Sequence, residues 1–313
     1  MPATPPIPAL RAPGLAVRSQ LRLGVINVIG KLLAALQIAL FGLSASPAHV
    51  YRHGSCAGSA ATDAHVDHFA TFNLFGGTKG PYWSLVNAWH LGSLTNSDYS
   101  LTITNFTCLF PNQTVMRWSF PSTTNAANVY AYPEIVYGSQ AGGGFIVPLN
   151  TPPAKTISSF SNLSVTYTVT ATFTTSDDAD FLIETWVQTA PGNPATNVNE
   201  VGFLAHTPAA NLDQVLNGLS HSFDYSSGGF NARIAANADN SFIVIMPVTT
   251  AGGTTPRDMI AGTQTIPLLG ILHALVTEGY ISGTNYISGY EFGFEVAKNN
   301  GSVLVHDIKW TWN

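Results

Sequence analysis

The sequence predicts an all-β protein, two antiparallel sheets packed face to face as a sandwich or jelly roll, with one helix laid outside. Three observations carry this. Short runs of alternating apolar and polar residues recur from about residue 65 onward, separated by Gly-, Pro-, Asn- and Ser-rich turns. Only one stretch shows a helical stripe. The composition is 45% hydrophobic and 9% charged, enough apolar surface for a core and the texture of an exported β protein. The 313 residues divide into a leader, 1–48, and one β domain, 49–313.

The expected strands, in order, begin with "HFATFNLF", "YWSLVNAW", "YSLTITNFTCLF", "VMRWSFP" and "NVYAYPEIVYG". They continue with "SVTYTVTATF", "DFLIETWVQ", "EVGFLAH", "FDYSSGGFNARIAA", "SFIVIMPV", "YEFGFEVAK" and "SVLVHDIKWTW". So many strands without helices between them must pair antiparallel and pack sheet on sheet. The one helix is expected in "TIPLLGILHALVTEGY", capped by Thr265, with Pro267 in its first turn. Leu268, Ile271, Leu272 and Leu275 form its apolar stripe, and Gly279 ends it.

The leader differs from the body. Arg11, Arg18, Arg22 and Lys31 precede or interrupt the apolar run "LLAALQIALFGL", and "SASPA" follows. This is the order of a secretory signal. A membrane anchor over about residues 24–43 is the alternative, which Lys31 disfavours. All seventeen acids lie after residue 62, so the body without its leader carries eight cations against them, a net charge of −9. Nucleic acid and anionic membranes are poor partners for such a surface, and a neutral ligand fits better. Cys56 and Cys108 are an even pair, which in an exported protein suggests one disulfide; two buried thiols are the alternative. "HVDHF" places His65 and His68 on opposite faces of a strand, so no metal site is expected, and no cofactor motif appears. Sequons stand at Asn105, Asn112, Asn162 and Asn300.

Function is sought among six glutamates: 134, 184, 200, 278, 291 and 295. In "DADFLIETWV" Phe181, Ile183, Thr185 and Val187 form one face, and Asp180, Leu182, Glu184 and Trp186 the other. In "GYEFGFEV" Tyr290, Phe292, Phe294 and Val296 form the apolar face, leaving Gly289, Glu291, Gly293 and Glu295 opposite. Glycines beside a glutamate let something approach a sheet closely. Two carboxyls flanked by aromatics suit glycoside cleavage, one protonating the leaving oxygen and the other attacking carbon or activating water. Simple exposed acids are the blander reading.

Several segments together resemble the family 12 glycoside hydrolases, retaining endo-β-1,4-glucanases and xyloglucanases on a concanavalin-like jelly roll. "YWSLVNAWHLG" resembles an N-x-W strand of that family, "VYAYPEIVYG" its V-x-S-Y-P-N strand, and "DFLIETWVQ…EVGF" its Y-E-x-M-I-W-L strand with the P-I-G that follows. "IPLLGILHALVTEGYISGTNYISGYEFGFEV" is similar to its helix and acid/base segment. The resemblance covers roughly residues 55 to 313. It implies Glu291 as acid/base, Asn87, Trp89 and Trp186 lining the substrate site, and an N-terminal disulfide near Cys56 and Cys108. Trp118, for which a place in the core is the alternative, and Glu295 are further candidates for substrate contact. The nucleophile position departs from the family pattern. Leu182 stands there, and the glutamate is Glu184, about 6.6 Å further along an ideal strand. Thr168 replaces an expected aspartate, and no proline follows Glu291. The expectation is a secreted, monomeric, cofactor-free cellulase-type hydrolase of β-1,4-glucan or xyloglucan, with Glu184 as nucleophile and Glu291 as acid/base. The alternative is an inactive or altered glycan-binding sandwich that keeps the cleft.

Overall fold

The computed structural model describes residues 58–62, 71–72, 81–88, 91–106, 109–123, 129–139, 152–175, 178–191, 193–207 and 219–313. The segment expected to be a leader, Cys56, Cys108, Trp89 and "HVDHF" lie outside the described residues.

In chain order the strands are β1 (Gly58–Thr62), β2 (Thr71–Phe72), β3 (Tyr82–Leu85), β4 (Ser100–Phe106), β5 (Thr114–Ser119) and β6 (Glu134–Gly138). Next come β7 (Lys155–Thr156), β8 (Leu163–Phe173), β9 (Ala179–Gln188), β10 (Asn197–His206), β11 (His221–Ser227), β12 (Phe230–Ala236) and β13 (Phe242–Pro247). The last are β14 (Thr263–Ile266), β15 (Tyr286–Ile287), β16 (Gly289–Val296) and β17 (Asn300–Trp312), and helix α1 (Leu268–Thr277) lies between β14 and β15.

They form two sheets. The smaller has six strands in the order β1-β4-β5-β17-β8-β14. The larger runs β11-β12-β13-β10-β9-β16-β6-β3-β2, with β15 and β7 attached beside β9. Pairing is antiparallel except between β10 and β13, which run parallel. β9 and β16 thus sit at the middle of the large sheet, buried on both sides by neighbouring strands.

The alternation of these two strands builds the core. Phe181 stacks on Phe294 at 4.6 Å and meets Phe292 edge-on at 4.8 Å. Tyr167 of β8, in the opposite sheet, packs edge-on against Phe181 and Phe292, both at 5.3 Å. Each such ring contributes on the order of 1.5–3 kcal/mol by leaving water. A polar tie joins the sheets as well. Asn105 of β4 donates to Ser84 Oγ of β3 at 2.9 Å and accepts from Thr114 Oγ1 at 3.0 Å. That sequon asparagine is therefore buried in the sandwich, whereas Asn162 and Asn300 are exposed.

Trp118 corrects an expectation. On β5 it faces inward at 3% exposure, against Phe294 at 6.1 Å and Phe173 at 6.0 Å. It is a core residue and cannot stack on a sugar.

Thr265 is the second correction. It belongs to β14, where its hydroxyl pairs with that of Thr166 at 2.9 Å, and the helix cap position is Pro267 with no side-chain bond. A cross-strand threonine partner outcompetes the cap. The other end follows the expectation. Gly279 takes φ 76°, and Tyr280 N–H reaches back to Leu275 O at 2.9 Å, a glycine-terminated helix end. The stripe Leu268, Ile271, Leu272 and Leu275 is buried, and α1 touches β8 of one sheet and β11 of the other. It closes one side of the sandwich.

Candidate active site

The strand period fixes which side chains share the outer face of the large sheet. β9 and β16 pair with Glu291 opposite Glu184, Gly293 opposite Leu182 and Glu295 opposite Asp180. Acid therefore meets acid at two rungs, with a Leu–Gly rung between. On the other side of β9, Gly202 of β10 stands opposite Glu184, and Glu200 opposite Trp186. On the other side of β16, Glu134 of β6 stands opposite Gly293 and Val136 opposite Glu291.

The first rung is deep. Glu184 is 3% exposed and Glu291 4%. Glu134 joins them fully enclosed, and its Oε1 accepts a hydrogen bond from Asn87 Nδ2 at 2.8 Å. Asn87 follows β3 in the left-handed region, φ 46°, a conformation asparagine tolerates better than most side chains. Burial pushes the Glu134 carboxyl well above the usual range, and the neighbouring Glu291 charge adds to it. Tyr132 roofs this group. Its phenol donates to Leu182 O at 3.1 Å, and burial together with Glu134, Glu184 and Glu291 raises its pKa.

The second rung is shallower. Asp180 and Glu295 are each half-buried as residues, with Asp180 Oδ1 itself enclosed. Burial, helped by Glu295 and opposed by His206, raises Asp180 to about 7. His206 is paired through Nδ1 with Asp258 Oδ2 at 3.1 Å and stacks on Phe173. The two line a crevice of about 190 Å³ with Leu204, Thr207, Thr255, Pro256 and Arg257. Trp186, on the same face, is partly exposed, and its indole Nε1 has no partner among the described residues. Among the described residues no group of His, Cys, Asp and Glu has the arrangement of a metal site.

No protein-family model matches the sequence, and no curated protein matches it. Solved structures do. A metagenome-derived family 12 endoglucanase superposes with TM-score 0.59 at 17% identity, over 83% of this chain and 100% of its own. A family 12 xyloglucanase from Bacillus licheniformis gives TM-score 0.57 at 18% identity, over 81% and 100%. Endoglucanase 3 from Trichoderma harzianum gives TM-score 0.57 at 13% identity, over 83% and 100%. The fold is that of the family 12 glycoside hydrolases.

On this family 12 fold the sequence-derived residues sort into three groups. Glu184 and Glu291 come together directly, and Asn87 reaches them through Glu134. Trp186 and Glu295 share their face of the sheet. Thr168 does not join them. It lies in the small sheet, its hydroxyl paired with that of Thr263 at 2.9 Å. Its neighbour Tyr167 points into the core, so alternation turns Thr168 outward.

The glycines also read differently in three dimensions. A Cβ at Gly293 would meet Pro133 O at 2.5 Å, Glu134 Cβ at 2.8 Å and the Tyr132 ring at 2.8 Å. A Cβ at Gly202 would meet Leu182 Cδ1 at 3.1 Å. What approaches the sheet closely at these two positions is the protein's own Tyr132 and Leu182.

Sequence reasoning assigned no role to Glu134, Tyr132 or Asp180. For Glu134 a signal was present. It is one of only six glutamates, it sits in a predicted strand, and two-residue alternation turns it away from the core-facing Ile135 and Tyr137. Its convergence with Glu291 depends on β6 pairing with β16, which are far apart in sequence.

Proposed function

We propose that this chain is an exported glycoside hydrolase acting within β-1,4-glucan or xyloglucan chains. The observation that carries it is the direct register of Glu184 against Glu291. Opposed residues of an antiparallel pair hold their Cβ atoms about 4.5–5.5 Å apart. Carboxyls so placed suit the separation of about 5–5.5 Å used in retaining cleavage better than the about 6.5–9.5 Å used in inversion. Ionised Glu184 attacks the anomeric carbon while protonated Glu291 gives its proton to the leaving oxygen. Water then enters, Glu291 takes its proton, and the sugar leaves Glu184. Trp186 offers an apolar surface for a ring beside the pair. The family 12 fold and the polysaccharide-cleaving enzymes that share it support this substrate class. The leader supports export. No helix among the described residues is long and apolar enough to cross a membrane.

Solvent exposure favours a variant of this reading. Asp180 and Glu295 form a second cross-strand acid pair whose residues are less buried than the first, so they are the alternative working pair. The deep position of Glu184 and Glu291 and the leucine at 182 favour a second reading, a glycan-binding sandwich without catalysis.

One experiment separates them. The protein is incubated with barley β-glucan, carboxymethylcellulose and xyloglucan, and reducing ends are counted. Loss in Glu184→Gln and Glu291→Gln supports the deep pair; loss confined to Asp180→Asn and Glu295→Gln supports the shallow one. Binding without any reducing ends from the unaltered protein leaves only the binding reading.

A further inference from the structure

Glu134 is a fully enclosed acid that the two-carboxyl mechanism does not use. It projects from β6 opposite Gly293, one diagonal step from Glu291 on the same face. The two carboxyls are enclosed on the same face of adjacent strands, and the Glu291 charge helps hold Glu134 above the usual carboxylate range. An ionised carboxylate has no donor, so two carboxyls can bond to each other only if one of them carries a proton. The groups facing Glu134 are Glu291 from β16, Glu184 from β9, Tyr132 from its own segment and Asn87 after β3. None of these is a cation. Three carboxylates this close in a water-poor space cannot all be ionised.

We propose that Glu134 and Glu291 hold one acidic proton between them, and that Glu134 is the positioning residue that lends this proton to Glu291 and takes it back. The proposal rests on reading Glu291 as the acid/base. During glycosidic cleavage the shared proton passes from Glu134 to Glu291 and on to the leaving oxygen as Glu184 bonds the anomeric carbon, so both acids end as carboxylates while Glu184, now an ester, is neutral. Glu134 is left as a carboxylate. Asn87 Nδ2, already donating to Oε1 at 2.8 Å, stabilises that charge. When water attacks, its proton enters at Glu291 and returns to Glu134, so the cycle closes with no net change in the protein.

The arrangement also explains why a neutral donor is placed at position 87. A cation there would strip the proton from Glu134 permanently, and an apolar residue would make its departure too costly. Asparagine supports both states.

The test follows the side-chain carboxyl carbons of the glutamates by NMR through a pH titration, alongside pH profiles of kcat/KM on β-glucan. In the unaltered protein Glu134 and Glu291 titrate together, above the ordinary glutamate range. In Glu134→Gln, the amide donates to Glu291 and the neighbouring negative charge is gone. Glu291 then titrates alone and lower, and the alkaline limb moves down by about one pH unit or more, with KM little changed. Asn87→Gly keeps the left-handed backbone and removes the donor, so the limb moves up. A Glu134 that titrates independently in the ordinary range, or an alkaline limb unmoved in Glu134→Gln, overturns the proposal. If Glu134→Gln does not fold, the NMR titration of the unaltered protein and the Asn87→Gly profile decide the matter. Joint titration in a protein that cleaves no glucan removes the hydrolase reading and leaves the shared proton standing.

Discussion

Glu184 and Glu291 stand in direct register across the β9–β16 ladder, each on the face turned away from the aromatic core. Their nearness costs stability, because like charges in a poorly hydrated space repel. A fold keeps such a pair only with compensation from elsewhere, and the Phe181, Phe292 and Phe294 cluster lies directly beneath it on the same two strands.

Glu184→Gln and Glu291→Gln are each expected to lower glucan cleavage at least about a hundredfold, the scale of a lost acid, base or nucleophile. Both variants should remain folded, since the amide fills the same volume and removes a charge conflict. Rates of reducing-end release, with circular dichroism as a control for folding, check this.

Asp180 gives the protein a pH-dependent stability. Its carboxyl is held near 7 in the folded state, against about 3.9 in the unfolded chain. The folded state therefore binds more protons between those values, so stability is fully present below about pH 4 and declines as pH rises toward 7. Glu134 is shifted in the same direction. Urea midpoints of the unaltered protein should fall across this window, and Asp180→Asn should flatten the decline. An equally steep decline in Asp180→Asn would show that the slope arises elsewhere.

Gly293→Ala is expected to destabilise by about 1–3 kcal/mol, the usual cost of overpacking. Two of its three close contacts, the Pro133 carbonyl and the Glu134 Cβ, cannot swing away. Gly202→Ala meets only the tip of Leu182 and should be nearly neutral. Denaturant unfolding of the two variants side by side reads the difference.

Two tryptophans that look alike in sequence should part in experiment. Trp118→Ala opens a cavity between the sheets and should cost about 3–5 kcal/mol of stability. Trp186→Ala, on the partly open outer face, should weaken binding to β-glucan while moving the unfolding midpoint little. Affinity electrophoresis in glucan-containing gels, paired with thermal unfolding, measures both.

Much of the architecture was legible because strand alternation is a local code. The inward Phe181, Ile183 and Val187 and the outward Glu184 and Trp186 follow from period two alone. The helix stripe and its glycine stop were likewise readable. The edge strand β14 was not. "TQTI" has one apolar residue at its end, and its two threonines pair with threonines of β8, distant in sequence. Trp118 was ambiguous for a similar reason, since alternation separates the faces of β5 without saying which one meets the other sheet.

By itself the sequence determined that this chain makes a two-sheet sandwich and that two strands each turn acids away from their greasy side, because side-chain direction along a strand depends only on the parity of position. Tertiary structure decided which acids meet. Pairing between β9, β16 and β6 brought Glu134 in beside Glu184 and Glu291, set Asp180 against Glu295, and let Tyr132 and Leu182 occupy the space above two glycines. Register between strands distant in sequence is a property of the assembled sheet, where burying one face selects a single alignment among many that local pattern allows.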